Sequence, residues 1–150
     1  MQLPINFSRI KIRDCNENDY NFIHDLSKEN MENYVIKLWG GWDKEKFISK
    51  IKKENIKIIE YNNELIGFSD YEIRGNTAYI HNLQIKSNFQ GKGIGHYILT
   101  IVEQNIKERG IKKISLKVFE DNPAKAFYEK HGYIALGSSD ASFIMEKNFG

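Results

Sequence analysis

The chain has 150 residues, with 41% hydrophobic and 28% charged side chains, and its 22 basic and 20 acidic residues leave a net charge of +2. This length predicts a single domain over residues 1–150 with one hydrophobic core. The near balance of charge and the lack of a lysine–arginine block argue against a nucleic-acid partner. No stretch approaches the roughly 20 apolar residues of a membrane span, so we expect no membrane partner either.

Cysteine and histidine usage bears on the compartment and the chemistry. Cys15 is the single cysteine, which excludes an internal disulfide and is typical of a reducing compartment. The N-terminus lacks the charged segment and apolar run of a signal peptide, so we expect a cytoplasmic protein, as a monomer or a homodimer. The four histidines lie apart, without the spacing of metal ligands, and we predict no metal site.

The first third of the chain predicts one strand and three helices. The strand is expected over residues 8–13, and apolar residues at helical spacing predict helices over about 17–28 and 31–38. The segment Trp39-Gly-Gly-Trp42 is expected to be a loop. Asp43 then suits the N-cap of a third helix.

Three strands come next, over residues 56–61, 65–74 and 77–85. Asn62-Asn63 lies between the first two and Gly75-Asn76 between the last two, and both pairs favour tight turns. The three strands are therefore predicted to form an antiparallel meander.

Residues 90–95 read Gln-Gly-Lys-Gly-Ile-Gly and lie where the last of these strands gives way to an amphipathic helix. A helix start leaves about four backbone N–H groups without partners and carries roughly half a positive charge. Glycines remove the side chains that would keep an anion away from those groups. The segment therefore predicts a phosphate-binding loop.

The rest of the chain predicts two helices and three strands. Arg109-Gly110 suits the end of the helix that follows the loop. Asn122-Pro123 supplies an N-cap and a first-turn proline for the last helix, which Gly132 ends. The strands are expected over residues 114–118, 133–136 and 143–147. The predicted class is α/β, with a mixed sheet covered by helices.

Two other glycine-rich phosphate loops do not match residues 90–95. A nucleotide P-loop needs Gly-x4-Gly-Lys-Ser/Thr, whereas His96 follows the last glycine here. A dinucleotide-binding turn needs Gly-x-Gly-x-x-Gly and an acidic residue about 20 positions on, where this chain has Lys112 and Lys113.

Two motifs together resemble the Gcn5-related N-acetyltransferase (GNAT) family. The pyrophosphate loop of that family reads Gln/Arg-x-x-Gly-x-Gly/Ala, which residues 90–95 fit completely. Its second motif, an asparagine followed by a helix with Ala, Phe-Tyr and Gly-Phe/Tyr, is similar to Asn122-Pro-Ala-Lys-Ala-Phe-Tyr-Glu-Lys-His-Gly-Tyr133. The resemblance covers roughly residues 66–147. It implies a mixed, mostly antiparallel twisted sheet flanked by helices.

The resemblance also implies acetyl-coenzyme A (acetyl-CoA) as co-substrate, with no metal. Backbone N–H groups of the loop would bind its pyrophosphate, and the preceding strand would pair with its pantetheine arm, which places an N–H near the thioester carbonyl. Asn122 is equally a helix cap, and Phe127 suits core packing equally well. The residues assigned to the co-substrate are Leu83, Gln84, Ile85, Gln90, Gly91, Lys92, Gly93, Ile94, Gly95, His96, Asn122 and Phe127.

Acyl transfer by direct attack needs a neutral amine and a protonated or stabilised thiolate. Tyr128 matches the general acid of the family, and a phenol that titrates near 10 keeps its proton at neutral pH. Some members carry a basic glutamate where this chain has Tyr79. Glu72 and His81 are therefore the candidate bases, and a packed or surface role is the alternative for His81.

The acceptor site is expected near the first two helices and their loop, as in the family. Glu32, Tyr34, Trp39 and Trp42 combine carboxylate and aromatic faces, which attract cations. We therefore expect a small primary amine as acceptor, unless both indoles pack against the sheet. A protein or peptide acceptor, and a coenzyme A sensor without turnover, are the alternative functions.

Overall fold

A computed structural model of the chain describes residues 4–39 and 41–149, with the side chains of all of these except 33–39. Over these ranges the chain forms seven β-strands and four α-helices. The strands are β1 (Ile10–Asp14), β2 (Ile56–Tyr61), β3 (Glu64–Arg74), β4 (Thr77–Ile85), β5 (Lys113–Phe119), β6 (Ile134–Ser139) and β7 (Ser142–Asn148). The helices are α1 (Tyr20–Trp39), α2 (Lys44–Ser49), α3 (Ile94–Glu108) and α4 (Ala124–Lys130).

The seven strands are hydrogen-bonded in the order β1-β2-β3-β4-β5-β7-β6. The β4–β5 pair is parallel, whereas β1–β2, β2–β3, β5–β7 and β6–β7 are antiparallel. Parallel neighbours need a long crossover connection, and α3 lies in the connection between β4 and β5. The predicted class, a mixed and mostly antiparallel sheet flanked by helices, is confirmed.

The chain divides into two compact units. The first contains the residues up to Asp70 together with Asn82–Ile101, so it holds α1, α2 and the start of α3. Apolar side chains from α1 and from the strands of this unit pack together and exclude water, which is the main stabilising contribution to such a fold. The buried members of this core are Cys15, Ile23, Leu26, Ile56, Ile58 and Phe68.

The second unit contains Tyr71–His81 and the residues from Val102 onwards. Along β5 buried side chains alternate with more exposed ones, as expected where one face of a strand is packed. Tyr133 donates a 2.8 Å hydrogen bond to Glu103, which also pairs with Lys147 at 3.0 Å, so this buried carboxylate is satisfied. The buried apolar residues of the unit include Ile114, Leu116, Val118 and Met145.

The predicted turns are present. Asn62 and Asn63 have φ of +49° and +68°, the left-handed pair that a two-residue hairpin turn of type I′ requires. Gly75 has φ of +60° in the turn between β3 and β4. Asp43 caps α2, since its side chain accepts a 3.1 Å hydrogen bond from the Lys46 N–H.

The prediction of two helices over residues 17–28 and 31–38 is wrong, because one helix, α1, runs through both. Asn16 caps a short 3-10 turn that leads directly into this helix. The predicted break contains neither glycine nor proline, so nothing interrupts the backbone hydrogen bonds there. Lys28 and Glu32 form an ion pair at 3.5 Å across it, at the i,i+4 spacing that supports a helix.

Several boundaries also differ from the prediction. Trp39, predicted to begin a loop over residues 39–42, is the last residue of α1, and Gly40 lies outside the described residues. β6 extends to Ser139 rather than ending at residue 136. Asn6 accepts a 3.1 Å hydrogen bond from the Ser8 N–H and holds Phe7–Arg9 in a 3-10 turn, so β1 begins at Ile10 rather than at residue 8. Pro123, rather than Asn122, immediately precedes the first residue of α4. Asn122 still caps this helix, because its side chain accepts the Ala124 N–H at 2.9 Å.

Candidate active site

The glycine loop between β4 and α3 has the backbone conformation that its sequence predicts. Gly91 and Gly93 have φ of +73° and +86°, a region that residues with a Cβ rarely adopt. The helix closes onto the loop through the Tyr97 N–H, which donates to the Gly93 carbonyl at 3.0 Å. The glycines are therefore required by the turn itself, before any ligand is considered.

The backbone N–H groups of residues 91–95 have no acceptor among the residues that the structure describes. Five consecutive donors at a helix start, beside a positive helix end, form a binding surface for an anion. Gly91 and Gly93 are exposed, so an anion reaches these donors from solvent. Lys92 is half-buried and His96 is exposed on the same segment. This arrangement suits a diphosphate.

Gln90 acts in this loop through its side chain, unlike the residues that follow it, which offer backbone N–H groups. Its side-chain amide donates a 2.8 Å hydrogen bond to the carbonyl of Ile85, the last residue of β4. The bond ties the start of the loop to the end of the strand. Gln90 therefore fixes where the free N–H groups stand.

The strand segment Leu83–Ile85, predicted to hold the pantetheine arm, follows the parallel pairing of β4 with β5. That pairing covers Thr77–Ile80 and ends three residues before Leu83. Gln84 directs its carbonyl at Gly67 of β3. Since successive residues of a strand point their backbone groups to opposite sides, those of Leu83 and the N–H of Ile85 point away from β3.

The second motif lies on α4, in the second unit. Tyr128 is buried, with 7% of its surface exposed, and burial raises the pKa of its phenol well above the usual range. No described residue forms a hydrogen bond with its hydroxyl. Phe127 packs edge-on against Tyr128 at 5.2 Å and against His131 at 4.5 Å between ring centroids. Asn122 is occupied in capping the helix.

The two candidate bases, Glu72 and His81, contact each other. The Glu72 carboxylate lies 2.8 Å from His81 Nε2 and accepts a 2.7 Å hydrogen bond from Arg74. The Arg74 guanidinium first, and His81 second, lower the pKa of Glu72 to about 2. A carboxylate held so strongly in its ionised form is a weak base. Glu72 is therefore poorly suited to accept a proton.

The predicted acceptor residues fall into two groups. Glu32 is on α1 and is paired with Lys28, while the side chains of Tyr34 and Trp39 lie outside the described residues. Trp42 donates a 2.9 Å hydrogen bond from its indole to His24 Nε2 and stacks on Phe47 at 5.4 Å.

Because His24 Nε2 accepts this bond, its Nδ1 carries the proton and faces Asp25 at 2.9 Å. The indole of Trp42 is thus engaged in packing and hydrogen bonding within the first unit.

A cavity in the first unit contains two polar residues that the sequence analysis did not select. It measures about 220 Å³, and its polar lining includes Asp70 and Asn82. A signal for Asp70 is present in the sequence, because Ile66, Phe68 and Asp70 alternate along β3 and share one face, on which the first two are buried and Asp70 is half-buried. A carboxylate at the third such position is unusual for a packed face. The apolar lining is Ile23, Phe47, Ile51, Ile56 and Phe68.

Three further features bear on metal binding, membrane insertion and nucleophilic chemistry. No group of three or more histidine, cysteine or carboxylate side chains within residues 4–32 and 41–149 could hold a metal ion. Among the described helices none is both long and apolar enough to cross a membrane. Burial raises the pKa of the Cys15 thiol to about 11, so this cysteine is not an activated nucleophile.

The loop and the α4 motif together define an acetyltransferase of the GNAT class. The sequence model of the acetyltransferase (GNAT) family matches residues 18–133, and the chain belongs to that family.

Two relatives illustrate the range of acceptors in this family. The chain is 37% identical over 79 residues to a [ribosomal protein bS18]-alanine N-acetyltransferase of Haemophilus influenzae, and the match spans 53% of each protein. It is 29% identical over 130 residues to a spermidine N(1)-acetyltransferase of Thermoplasma acidophilum, covering 82% of this chain and 79% of that enzyme. The chain thus spans about half the length of the first relative and most of the second.

The fold is also that of a solved N-acetyltransferase, PaiA of Thermoplasma acidophilum, whose crystal structure contains coenzyme A. The two structures superpose with a TM-score of 0.78 at 25% identity, over 93% of this chain and 98% of that one. The fold and family predicted from the two motifs are therefore confirmed.

Proposed function

We propose that this protein transfers the acetyl group of acetyl-CoA to the primary amine of a small metabolite by direct attack. The observation that carries the proposal is the row of free backbone N–H groups over residues 91–95, at the start of α3. A solved relative with coenzyme A bound supports the choice of this anion. The pyrophosphate would accept hydrogen bonds from the loop, while Leu83–Ile85 would pair with the pantetheine arm.

In the proposed reaction the amine nitrogen bonds to the thioester carbonyl carbon and the carbon–sulfur bond breaks. A backbone N–H of the Leu83–Ile85 segment would stabilise the negative charge that develops on the carbonyl oxygen. The thiolate that leaves would be stabilised by the Tyr128 phenol. Because burial raises the pKa of that phenol, it would donate a hydrogen bond to the sulfur and keep its own proton, and the thiolate would take up a proton from solvent.

The amine must lose a proton before or during its attack. His81 is the proposed acceptor of this proton, either directly or through water. For this role the imidazole must be neutral, and it would then donate its Nε2–H to the Glu72 carboxylate 2.8 Å away, which holds the ring in place and leaves Nδ1 to accept the proton. The side chain of His81 is 38% exposed, so water reaches it. Glu72 would then orient His81 instead of acting as the base itself.

Gly91→Ala tests the loop, with Gly110→Ala as its matched control. Both glycines have similar left-handed φ values, +73° and +78°, and a Cβ at either position meets no atom within 4 Å. Both variants should therefore lose similar stability, of about 1 kcal/mol. Only Gly91→Ala places a methyl group where the diphosphate would bind.

The measurement is a calorimetric titration of each variant with coenzyme A. We expect Gly91→Ala to weaken binding at least 10-fold and Gly110→Ala to bind like the wild type. Equal affinities in the two variants would contradict a diphosphate site at this loop. Release of free thiol from acetyl-CoA with a panel of amines then tests turnover, because a coenzyme A sensor binds but releases none.

A peptide acceptor is the second candidate, and the relative that acetylates the alanine of ribosomal protein bS18 favours it. The amine panel separates the two. A small amine as acceptor gives turnover with free polyamines and alkyl amines, whereas a peptide acceptor gives turnover only with peptides that have a free N-terminus. Spermidine belongs in the panel because a relative acts on it.

A further inference from the structure

The cavity beside α1 and α2 differs chemically at its two ends. Most of its wall is apolar, from Ile23, Phe47 and Ile51 on the helical side to Phe68 on β3. Its volume of about 220 Å³ equals roughly seven water molecules at about 30 Å³ each. A cavity of this size and lining suits a short aliphatic chain.

Hydrogen bonds fix the polar end of the cavity. The buried Gln84 donates to Asn82 Oδ1 at 2.9 Å and to Ser27 at 3.3 Å, and it accepts from Asn30 at 3.3 Å. Because the Asn82 oxygen is used in this way, its amide nitrogen faces Asp70, at 3.5 Å from the carboxylate. The carboxylate is therefore held in orientation by a chain of amides that leads back to α1.

The charges around the cavity favour a cation at this end. Of the residues that line it, Asp70 and Lys50 are charged, and Lys50 is exposed. Water screens the lysine more than the half-buried carboxylate. A carboxylate also offers about four acceptor positions, so Asp70 would accept from an ammonium alongside the Asn82 amide and its other contacts.

The position of the cavity connects it to the proposed reaction. Asn82 directly precedes Leu83, the first residue of the segment proposed to hold the thioester arm. At about 3.3 Å per strand residue, that segment lies about 3 to 10 Å further along β4. The length of a four-carbon diamine is comparable to this interval, so a diamine of this length is the acceptor to test.

We infer that this cavity selects diamine acceptors, in which Asp70 binds the ammonium that does not react. The aliphatic stem lies against Phe47 and Ile51, and the other amine is left to attack the thioester. Asp70 is assigned to the non-reacting nitrogen because a carboxylate favours the charged form of an amine, and the attacking amine must be neutral. This inference rests on the proposed function and specifies its acceptor.

The experiment compares two acceptors with the same stem, 1,4-diaminobutane and butylamine. For Asp70→Asn, we expect KM for the diamine to rise about 10- to 100-fold, the size of a hydrogen bond to a charged group, while kcat and the butylamine kinetics stay the same. Lys50→Ala removes a repelling cation and should lower KM for the diamine about two- to five-fold. Glu17→Gln, the control, removes one charge from an exposed side chain of the same unit and should change neither substrate.

Three outcomes decide the inference. It is overturned if the ratio of kcat/KM for diamine to that for butylamine is the same in Asp70→Asn and wild type. It is also overturned if Asp70→Asn lowers kcat for both amines and removes one limb of the pH profile, because Asp70 would then be the base. Should Asp70→Asn fail to fold, the wild-type enzyme carries the test, and equal kcat/KM values for the diamine and butylamine refute the inference.

Failure of the proposed function looks different from these outcomes. In that case the wild-type protein acetylates neither amine, whatever residue stands at position 70. Turnover of butylamine with no preference for the diamine would instead leave the proposed function standing and remove only the role of Asp70.

Discussion

β3 and β4 approach each other closely at Gly67, and Gly67→Ala is the change that tests this packing. A Cβ at this position would lie 2.8 Å from Ile85 Cδ1 and under 3.0 Å from the Gln84 carbonyl oxygen. The Ile85 side chain can rotate away, but a backbone carbonyl moves only with its strand. The two strands must therefore separate by several tenths of an ångström, and the hydrogen bonds between them lengthen.

Overpacking of this kind costs about 1–3 kcal/mol of unfolding free energy. At about 2–4 °C per kcal/mol for a chain of this length, the melting temperature should fall by about 2–12 °C. The displaced segment, Gln84 and Ile85, is also the one proposed to bind the pantetheine arm. We therefore expect weaker binding of coenzyme A as well, measured by calorimetry at a temperature where the variant is folded.

Gly137→Ala is the matched control, because it adds the same methyl group to a strand glycine with no atom within 4 Å. It should change the unfolding free energy by less than about 0.5 kcal/mol. Urea unfolding of both variants gives the comparison. If Gly67→Ala were as stable as Gly137→Ala, the close packing of β3 on β4 would be refuted.

Two further predictions concern the acid and the pH dependence of stability. Tyr128→Phe should lower kcat about 10²- to 10⁴-fold with little change in KM for acetyl-CoA. Tyr79→Phe, the control, should keep kcat near the wild-type value. A loss of kcat below about three-fold in Tyr128→Phe would remove the phenol from the mechanism. Hydrogen bonds from Arg13 lower the pKa of the buried Asp19 carboxyl in the folded protein. The contribution of Asp19 to the unfolding free energy is therefore complete above the pKa of the unfolded chain, about 3.9, and is lost as the pH falls from there through the pKa of the folded state. Asp19→Asn should therefore be about 1.5–3 kcal/mol less stable at pH 7 in urea unfolding, and a difference that did not shrink below pH 4 would contradict this coupling.

The sequence predicted most of the strands and turns because their signals are local. Asn62-Asn63 needs only its own backbone preference to form a hairpin turn, and the alternating apolar residues of β5 need only a packed face. The glycine loop was found for the same reason. Its conformation and its free donors are encoded within six residues.

Other features depend on contacts that no local pattern reports. A break was predicted near residue 30, whereas the backbone of α1 continues through it, because neither glycine nor proline interrupts the hydrogen bonds there. Trp42 was selected for its aromatic face, but a hydrogen bond to His24, 18 residues earlier, determines its position. Asp70 was missed because its neighbours in the cavity come from α1, α2 and three strands.

The order of strands in the sheet also has a consequence for how the chain folds. Hairpins β2–β3 and β6–β7 close across two residues, whereas the β1–β2 partners lie 43 to 51 positions apart in sequence and the β4–β5 partners 36 apart. Closing a long loop costs entropy before its contacts form, so local pairs are expected to form first and the parallel pair late. During synthesis the glycine loop therefore emerges from the ribosome before β4 can acquire its parallel neighbour, and the nascent chain passes through a stage at which that strand edge is uncovered.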